Sequence, residues 1–402
     1  MPMFLRKITH SLYLSLVKVM VNFGPPARHH AFAGSGSSRQ LCEHLIRTGV
    51  SKLLIVTDKP LRDLGVVDRA TAALADSGID IAFYDGVLPD PTYEHVAEGV
   101  AIAKTHGSEA ILAIGGGSSI DAAKIIAASA TSGENPADWV GFGKLKHDVL
   151  PLYVIPTTSG TGSEATMGAV ISDPVTHEKG VISGGPLLPQ VVALDAQLIT
   201  GLPPHITAAT GMDALTHAVE AYLSANALPE TDGYALAATK LIMENLPTAV
   251  ANGKDLEARQ AMSFASYYAA LAFTRAGVGY VHAISHNFGA YYHTPHGLAN
   301  AIVMPWVLDF SKPKCTKRMA RLAEVAGLRK KGDRPQALAN RFIDHIREMN
   351  KEFGIPQQLE ALKKSDIPAI AASALKEAHY TYAVPRYMDQ RTCEGLIRKM
   401  LA

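Results

Sequence analysis

The stretch A-I-L-A-I-G-G-G-S-S-I-D-A-A-K, residues 110–124, reads as a buried strand, a triple-glycine turn and the start of a helix. Glycines let a backbone approach a pyrophosphate closely, and the free N–H groups and positive dipole of a helix N-terminus hold its charge. Ser118 could cap this helix or donate to a phosphate oxygen. The bland alternative is a tight strand–helix turn, but three consecutive glycines exceed what a turn needs.

The flanking chain repeats the alternation. K-L-L-I-V-T-D (52–58) and I-D-I-A-F-Y-D (79–85) read as strands, with helical stretches at 61–77 and 94–106, and L-Y-V-I-P (152–156) as a fourth strand. Strands alternating with helices of this length imply a parallel, doubly wound α/β sheet, which binds ligands at the carboxyl ends of its strands. After residue 200 strand runs all but vanish, and long Ala/Leu-rich helical stretches begin at Ile206–Leu223, 230–244 and Leu256–Ala276. Residues 1–200 therefore read as a dinucleotide-binding α/β domain and 201–402 as an all-helical domain.

Composition narrows the function. The 402 residues are 48% hydrophobic and 19% charged with a formal net charge of +1, ordinary for a soluble enzyme and offering no field for nucleic acid. Cys42, Cys315 and Cys393 are isolated, without a metal knuckle or an even disulfide framework, which favours a reducing cytosol. No segment reaches spanning length. Leu5, Ile8, Leu12, Leu16, Val19 and Phe23 fall at helical spacing, so residues 1–25 read as an amphipathic extension suited to packing on the body or on a neighbouring subunit.

The loop T-T-S-G-T-G-S (157–163) comes directly after the fourth strand. Its G-T-G-S-E-A resembles a dinucleotide fingerprint but lacks the acidic residue about twenty positions on. The adjoining T-M-G-A-V-I-S-D (166–173) reads as a strand, so 157–163 is a hydroxyl-rich loop beside the cofactor. Asp58, ending the first strand, either accepts from both ribose hydroxyls, which favours NAD over NADP, or caps the helix before Leu61.

G-Y-V-H-A-I-S-H-N-F-G-A-Y-Y-H-T-P-H-G (279–297) holds four of the sixteen histidines. His282 and His286 share a helix face, and Pro295 ends any helix before His296. A-A-T-G-M-D-A-L-T-H-A-V-E-A-Y (208–222) supplies Asp213 and His217, again four apart and flanked by apolar residues. A partly buried carboxylate beside imidazole needs a partner, and a cation supplies one. Asp213, His217, His282 and His296 make a donor set for Fe(II), Zn(II) or another first-row ion, open to an exogenous ligand.

These blocks, with P-T-T-S-G-T-G-S-E and H-T-P-H-G-L-A-N-A-I, resemble the iron-containing (group III) alcohol dehydrogenase family, in order and spacing, over residues 52–305. The resemblance implies an NAD-type domain followed by a helical one. It implies Asp213, His217, His282 and His296 as metal ligands and His286 near nicotinamide and substrate. Gly116, Gly117, Ser118, Asp121, Thr157, Thr158, Thr161 and Lys179 would surround the cofactor, with Asp58 at the ribose. Gly168 and Phe273 fall where the family lines its substrate pocket, and glycine at the first leaves room. Asn287 stands where many members have proline. Iron is the family metal, with zinc the alternative.

The implied activity is NAD-linked oxidation of a primary alcohol, with His286 relaying the proton. A diol, lactaldehyde or hydroxyacid–oxoacid dehydrogenase shares every motif, and a dehydroquinate-synthase-like lyase shares the body plan. A non-enzymatic metal-binding protein leaves the glycine loop unexplained. A cytoplasmic homo-oligomer, with a dimer favoured, completes the expectation.

Overall fold

The computed structural model describes residues 29–175 and 179–402, and the amphipathic stretch expected at 1–25 lies outside them. In chain order the first part forms β1 (His30–Ala33), α1 (Ser37–Arg47), β2 (Lys52–Val56), α2 (Lys59–Asp63), α3 (Val66–Thr71), β3 (Asp80–Tyr84), α4 (Tyr93–His106), β4 (Ala110–Gly115) and α5 (Gly117–Ala130). It continues through β5 (Gly141–Phe142), β6 (Leu152–Pro156), β7 (Gly168–Ser172), β8 (Lys179–Ser183) and β9 (Val191–Leu194). The rest is helical: α6 (Pro204–Leu223), α7 (Pro229–Ala251), α8 (Leu256–Ala276), α9 (Tyr280–Tyr292), α10 (His296–Val325), α11 (Pro335–Glu352), α12 (Ile367–Thr381) and α13 (Gln390–Ile397). None is long and apolar enough to cross a membrane among the described residues.

Six strands form one wholly parallel sheet in the order β1-β9-β6-β4-β2-β3. Its central strands are buried on both faces: Leu54, Val56, Ile111, Ala113 and Val154 enter one core, and Leu53, Ile55, Leu112, Ile114 and Ile155 enter the other. Two covered faces explain why these strands read as continuous apolar runs. The edge strands β1 and β3 are more exposed than the central four, and β1, only four residues long, escapes sequence reading. From β2 the chain steps to β3 on one side, and from β4 to β6 on the other. The switch point of the fold therefore lies between the carboxyl ends of β2 and β4, where Asp58 and Gly115–Ser118 are found.

A small sheet, β5-β8-β7, adjoins the hydroxyl-rich loop in sequence, and β7 is the strand expected there. The single helix expected over 61–77 is divided, because Gly65 adopts φ 64 between α2 and α3.

The described residues divide into two compact units. One holds the chain up to Leu202 together with Gly253–Tyr267, and the other holds Pro203–Asn252 and Tyr268–Ala402. A single boundary near residue 200 does not describe this, because the first part of α8 returns to the sheet unit. Buried Arg259 donates to Leu202 O and Gly253 O, each at 2.9 Å, and Gln260 donates to Leu194 O at 3.1 Å. The Tyr267 hydroxyl meets His29 Nε2 at 2.8 Å.

In the helical unit, α6 is buried on nearly every side from Gly211 to Leu223. Such a helix has no polar face and must be packed all round. Glycines allow its neighbours to close in. A Cβ on Gly211 would sit 2.3 Å from Leu246 of α7, and one on Gly297 would sit 2.3 Å from the Ala209 carbonyl and 3.3 Å from Asp213 Cβ. Gly297 thus lets the start of α10 lie directly on the turn of α6 that carries Asp213.

This burial has two measurable consequences. An exposed helical Gly→Ala change normally gains stability. Gly297→Ala instead lowers it by about 1–3 kcal/mol in denaturant unfolding, the cost of overpacking, and a gain would show that the contact is soft. Burial pushes the thiols of Cys42 and Cys393 up to about 12 and that of Cys315 up to about 11. The native protein at pH 8 then shows no fast-reacting thiol toward a disulfide reagent, and all three react once it is unfolded.

Candidate metal centre

The spacing of α6 brings Asp213, His217 and Glu220 to one face, and α9 brings His282 and His286 to another. Pro295 precedes α10 as its N-cap, so the helix begins at His296. One ligand atom from each of Asp213, His217, His282 and His296 lies within 4.8 Å of the others. Asp213, His217 and His282 are buried, and His296 is partly so. The rings of His217 and His282 stack at 4.6 Å, and Phe273 stacks on the other side of His217 at 4.3 Å.

Glu220 organises this cluster. Its carboxylate accepts from Gly279 N, Val281 N and His282 Nδ1, all at 2.7 Å. It therefore caps the N-terminus of α9, whose own N-cap residue is a glycine without a side chain, and holds the first histidine of that helix. Gly279 makes the approach possible, since a Cβ there would lie 2.7 Å from Glu220 Oε1. Burial pushes Glu220 up to about 7, opposed by the backbone N–H donors. Burial, and then the neighbouring rings of His217, His296 and His286, hold His282 well below its ordinary range, so it is a neutral imidazole. With Nδ1–H donated to Glu220, Nε2 keeps its lone pair for the cluster.

The direction of those lone pairs tests whether a cation fits. The buried amide nitrogen of Asn300 lies 2.7 Å from Asp213 Oδ1, 3.1 Å from His296 Nε2 and 3.3 Å from His282 Nε2. Three ligand atoms from three helices thus converge on one electropositive group. Nitrogen and carboxylate donors in this number suit a divalent first-row metal, and the residues fit one.

His286 lies one turn beyond His282, with its ring stacked on His296 at 5.3 Å. Its Nδ1 meets Glu377 Oε1 of α12 at 2.7 Å, and Tyr382 donates to the same oxygen at 2.5 Å. Burial opposes ionisation of Glu377, but His286 and the two hydrogen bonds hold it below the usual carboxylate range. Asn287 donates to Ala283 O at 2.9 Å inside a regular α9, so the absence of proline leaves the helix intact. His293 is exposed at φ 53 and ends the helix, apart from the cluster.

The expected cofactor residues lie in the sheet unit. Each glycine of the triple run is also accounted for by a neighbour: side chains would meet Ser119 at 2.4 Å from Gly115, Thr158 at 3.3 Å from Gly116 and Thr161 at 2.7 Å from Gly117. The N-terminus of α5 has no side-chain cap, and Ser118 sits in its first turn. Thr157 is buried and donates its N–H to Gly115 O at 2.9 Å. Asp58 caps α2 through Leu61 N at 2.9 Å, with its other oxygen 3.5 Å from Ser119 Oγ. Asp121 is spent on the protein, accepting from Ser163 Oγ at 2.5 Å and Val170 N at 2.9 Å. Lys179 pairs with Asp90 at 2.6 Å, and Gly168 opens β7 with no atom nearer than 3.9 Å to an added Cβ.

Sequence reading misses Glu220, Asn300, Glu377 and Lys124. Two carry a signal: Glu220 is seven residues after Asp213 and Asn300 four after His296, on the same helix faces as the ligands. Glu377, ninety-one residues from His286, carries none.

Residues 29–196 match the family described as iron-containing alcohol dehydrogenase, and residues 207–401 match the C-terminal part of the same family. The chain is 39% identical to an NAD-dependent methanol dehydrogenase of Bacillus methanolicus, over 95% of this chain and all of that one. It is 38% identical to a 1,3-propanediol dehydrogenase of Klebsiella pneumoniae, over 92% and 96% of the two chains. A solved 1,3-propanediol oxidoreductase superposes with a TM-score of 0.90 at 37% identity, covering 92% of this chain and 98% of that one. With its parallel sheet, its helical unit and its Asp–His–His–His cluster, the chain belongs to the iron-containing alcohol dehydrogenase family.

Proposed function

We propose that this protein interconverts primary alcohols and aldehydes by NAD-linked hydride transfer at a divalent metal. The observation that carries the reading is the convergence of Asp213, His217, His282 and His296 around one point, with His282 held neutral and oriented by Glu220. Iron is the metal named in the family description, and zinc, which binds nitrogen donors more tightly, is the alternative. When bound, the metal supplies Lewis acidity toward a hydroxyl or carbonyl oxygen, and the nicotinamide supplies a hydride acceptor.

The chain's own residues do the rest. Asp213 supplies the one anionic donor, and Glu220 keeps His282 Nε2 available. His286, fixed at Nδ1 by Glu377, leaves Nε2 as the atom that takes the hydroxyl proton toward solvent. Phe273, stacked on His217, offers an apolar wall to substrate. For the dinucleotide, the uncapped N-terminus of α5 with Gly116, Gly117 and Ser118 takes pyrophosphate. Thr157, Thr158, Thr161 and Lys179 line it, and the Asp58 oxygen left over from helix capping takes a ribose hydroxyl. Asp121 acts on the loop that carries the threonines.

A short diol is the second substrate reading. The 1,3-propanediol dehydrogenase relative and the open space at Gly168 favour it. Three buried thiols suit a reducing cytosol, and a homo-oligomer, with a dimer favoured, is the proposed assembly.

Metal content decides the ligand assignment. His282→Ala retains no stoichiometric iron or zinc and forms no NADH. Glu220→Gln keeps the fold but weakens metal retention in a chelator competition by about 10–100-fold, and retention equal to wild type would remove Glu220 from this role. On the metal-loaded protein, NADH appears with ethanol, butanol and 1,3-propanediol, and far less product forms with NADP. No turnover of any primary alcohol contradicts the proposed activity, and a preference for NADP contradicts the role of Asp58.

A further inference from the structure

Asn300 is wholly buried and lies one turn after His296 on α10. Its side-chain amide points into the donor cluster. Nδ2 donates to Asp213 Oδ1 at 2.7 Å, the length of a hydrogen bond to an ionised acceptor. The same nitrogen stands 3.1 Å from His296 Nε2 and 3.3 Å from His282 Nε2. The other end of the amide is different: Oδ1 is buried without a hydrogen-bond partner among the described residues. A buried carbonyl left in that state lowers stability, and a leucine would fill much the same space without the loss. Packing therefore does not account for an asparagine here, and its N–H donors do.

A carboxylate that is to hold a cation must be aimed and must keep its charge. A lysine or arginine beside Asp213 would aim it and also cancel the charge that attracts the cation. A neutral amide aims it and leaves the charge whole. The arrangement mirrors that of Glu220. Helix α6 supplies Glu220 to hold His282 of α9, and α10 supplies Asn300 to hold Asp213 of α6. Gly297 permits the second contact, because a Cβ there would lie 3.3 Å from Asp213 Cβ and force the first turn of α10 away.

We propose that Asn300 is a positioning residue for the metal, acting through Asp213. Its amide fixes the rotation of the carboxylate and restricts Asp213 to one metal-binding oxygen, which leaves a coordination position free for substrate. Asn300 does not itself bind the metal. This rests on the reading of the four-residue cluster as a metal centre.

The test measures zinc retention by the full-length protein in competition with a chelator. Asn300→Leu, which keeps the bulk and loses the donor, holds zinc about 10–100-fold more weakly than wild type. NADH binding, followed by fluorescence, stays at the wild-type level. At saturating zinc, X-ray absorption of Asn300→Leu shows a changed set of zinc–oxygen distances, which a purely structural role would leave alone. Should the leucine variant fail to fold, the crystal structure of the zinc-loaded wild type decides: Asp213 binds through one oxygen, with Asn300 Nδ2 still bonded to the carboxylate. Zinc retention equal to wild type in Asn300→Leu overturns the proposal, as do unchanged zinc–oxygen distances. So does a wild-type structure with Asp213 bound through both oxygens or with Asn300 Oδ1 on the zinc. A wild-type protein that holds neither zinc nor iron instead removes the metal reading on which the proposal rests.

Discussion

One buried carboxylate carries much of the helical unit's local order. Glu220 sits on α6, yet two of its three hydrogen bonds go to backbone N–H groups at the start of α9 and the third to His282 Nδ1. A helix N-terminus leaves N–H groups without intrahelical partners, and here a residue from another helix satisfies them. The same contact sets the tautomer and the rotation of the His282 ring, one of the four side chains of the cluster. Helix placement and ligand placement are thus one interaction, so the centre cannot loosen without uncapping α9. Burying a carboxylate at this depth is costly, and three donors at 2.7 Å are what make it tolerable.

The remaining constraints are steric. Gly279, Gly297 and Gly211 each stand where a methyl group would strike a neighbour, and together they let helices bearing polar ligands approach closely inside an apolar bundle. The triple glycine after β4 shows the same economy. Without side chains there, Thr158 and Thr161 of the hydroxyl-rich loop come close to the start of α5. Lys124 and Asp121 then hold the curl of chain that follows that loop, Lys124 through the carbonyls of Ser163, Thr166 and Gly168 and Asp121 through Ser163 Oγ and Val170 N.

Much of this is legible in the chain, and the reasons are physical. The buried parallel strands at 52–56, 110–115 and 152–156 announce themselves because both faces are covered and few polar residues intrude. Asp213 with His217, and His282 ahead of His296, show because helical spacing and a proline leave a pattern in one dimension. β1 and β9 leave no such mark, because each is only four residues long. The return of Gly253–Tyr267 to the sheet unit depends on Arg259 and Gln260 finding carbonyls more than fifty residues away, which no local pattern encodes. Position alone leaves Asp58 between two roles, and in the fold it caps α2 with one oxygen while keeping the other oriented toward Ser119. Glu377 and Lys124 escape a linear reading for a related reason, since their partners are fixed only by the tertiary fold.

Four side chains from α6, α9 and α10 are proposed to define one metal position. Anomalous diffraction from crystals of the iron- or zinc-loaded protein, collected on either side of the metal absorption edge, tests this directly. The expected result is a single strong peak about 2.0–2.2 Å from one oxygen of Asp213 and from a ring nitrogen each of His217, His282 and His296, with Glu220 still bonded to His282 Nδ1. A peak coordinated by His286 or His293 in place of one of these four, or no ordered metal at that point, would contradict it.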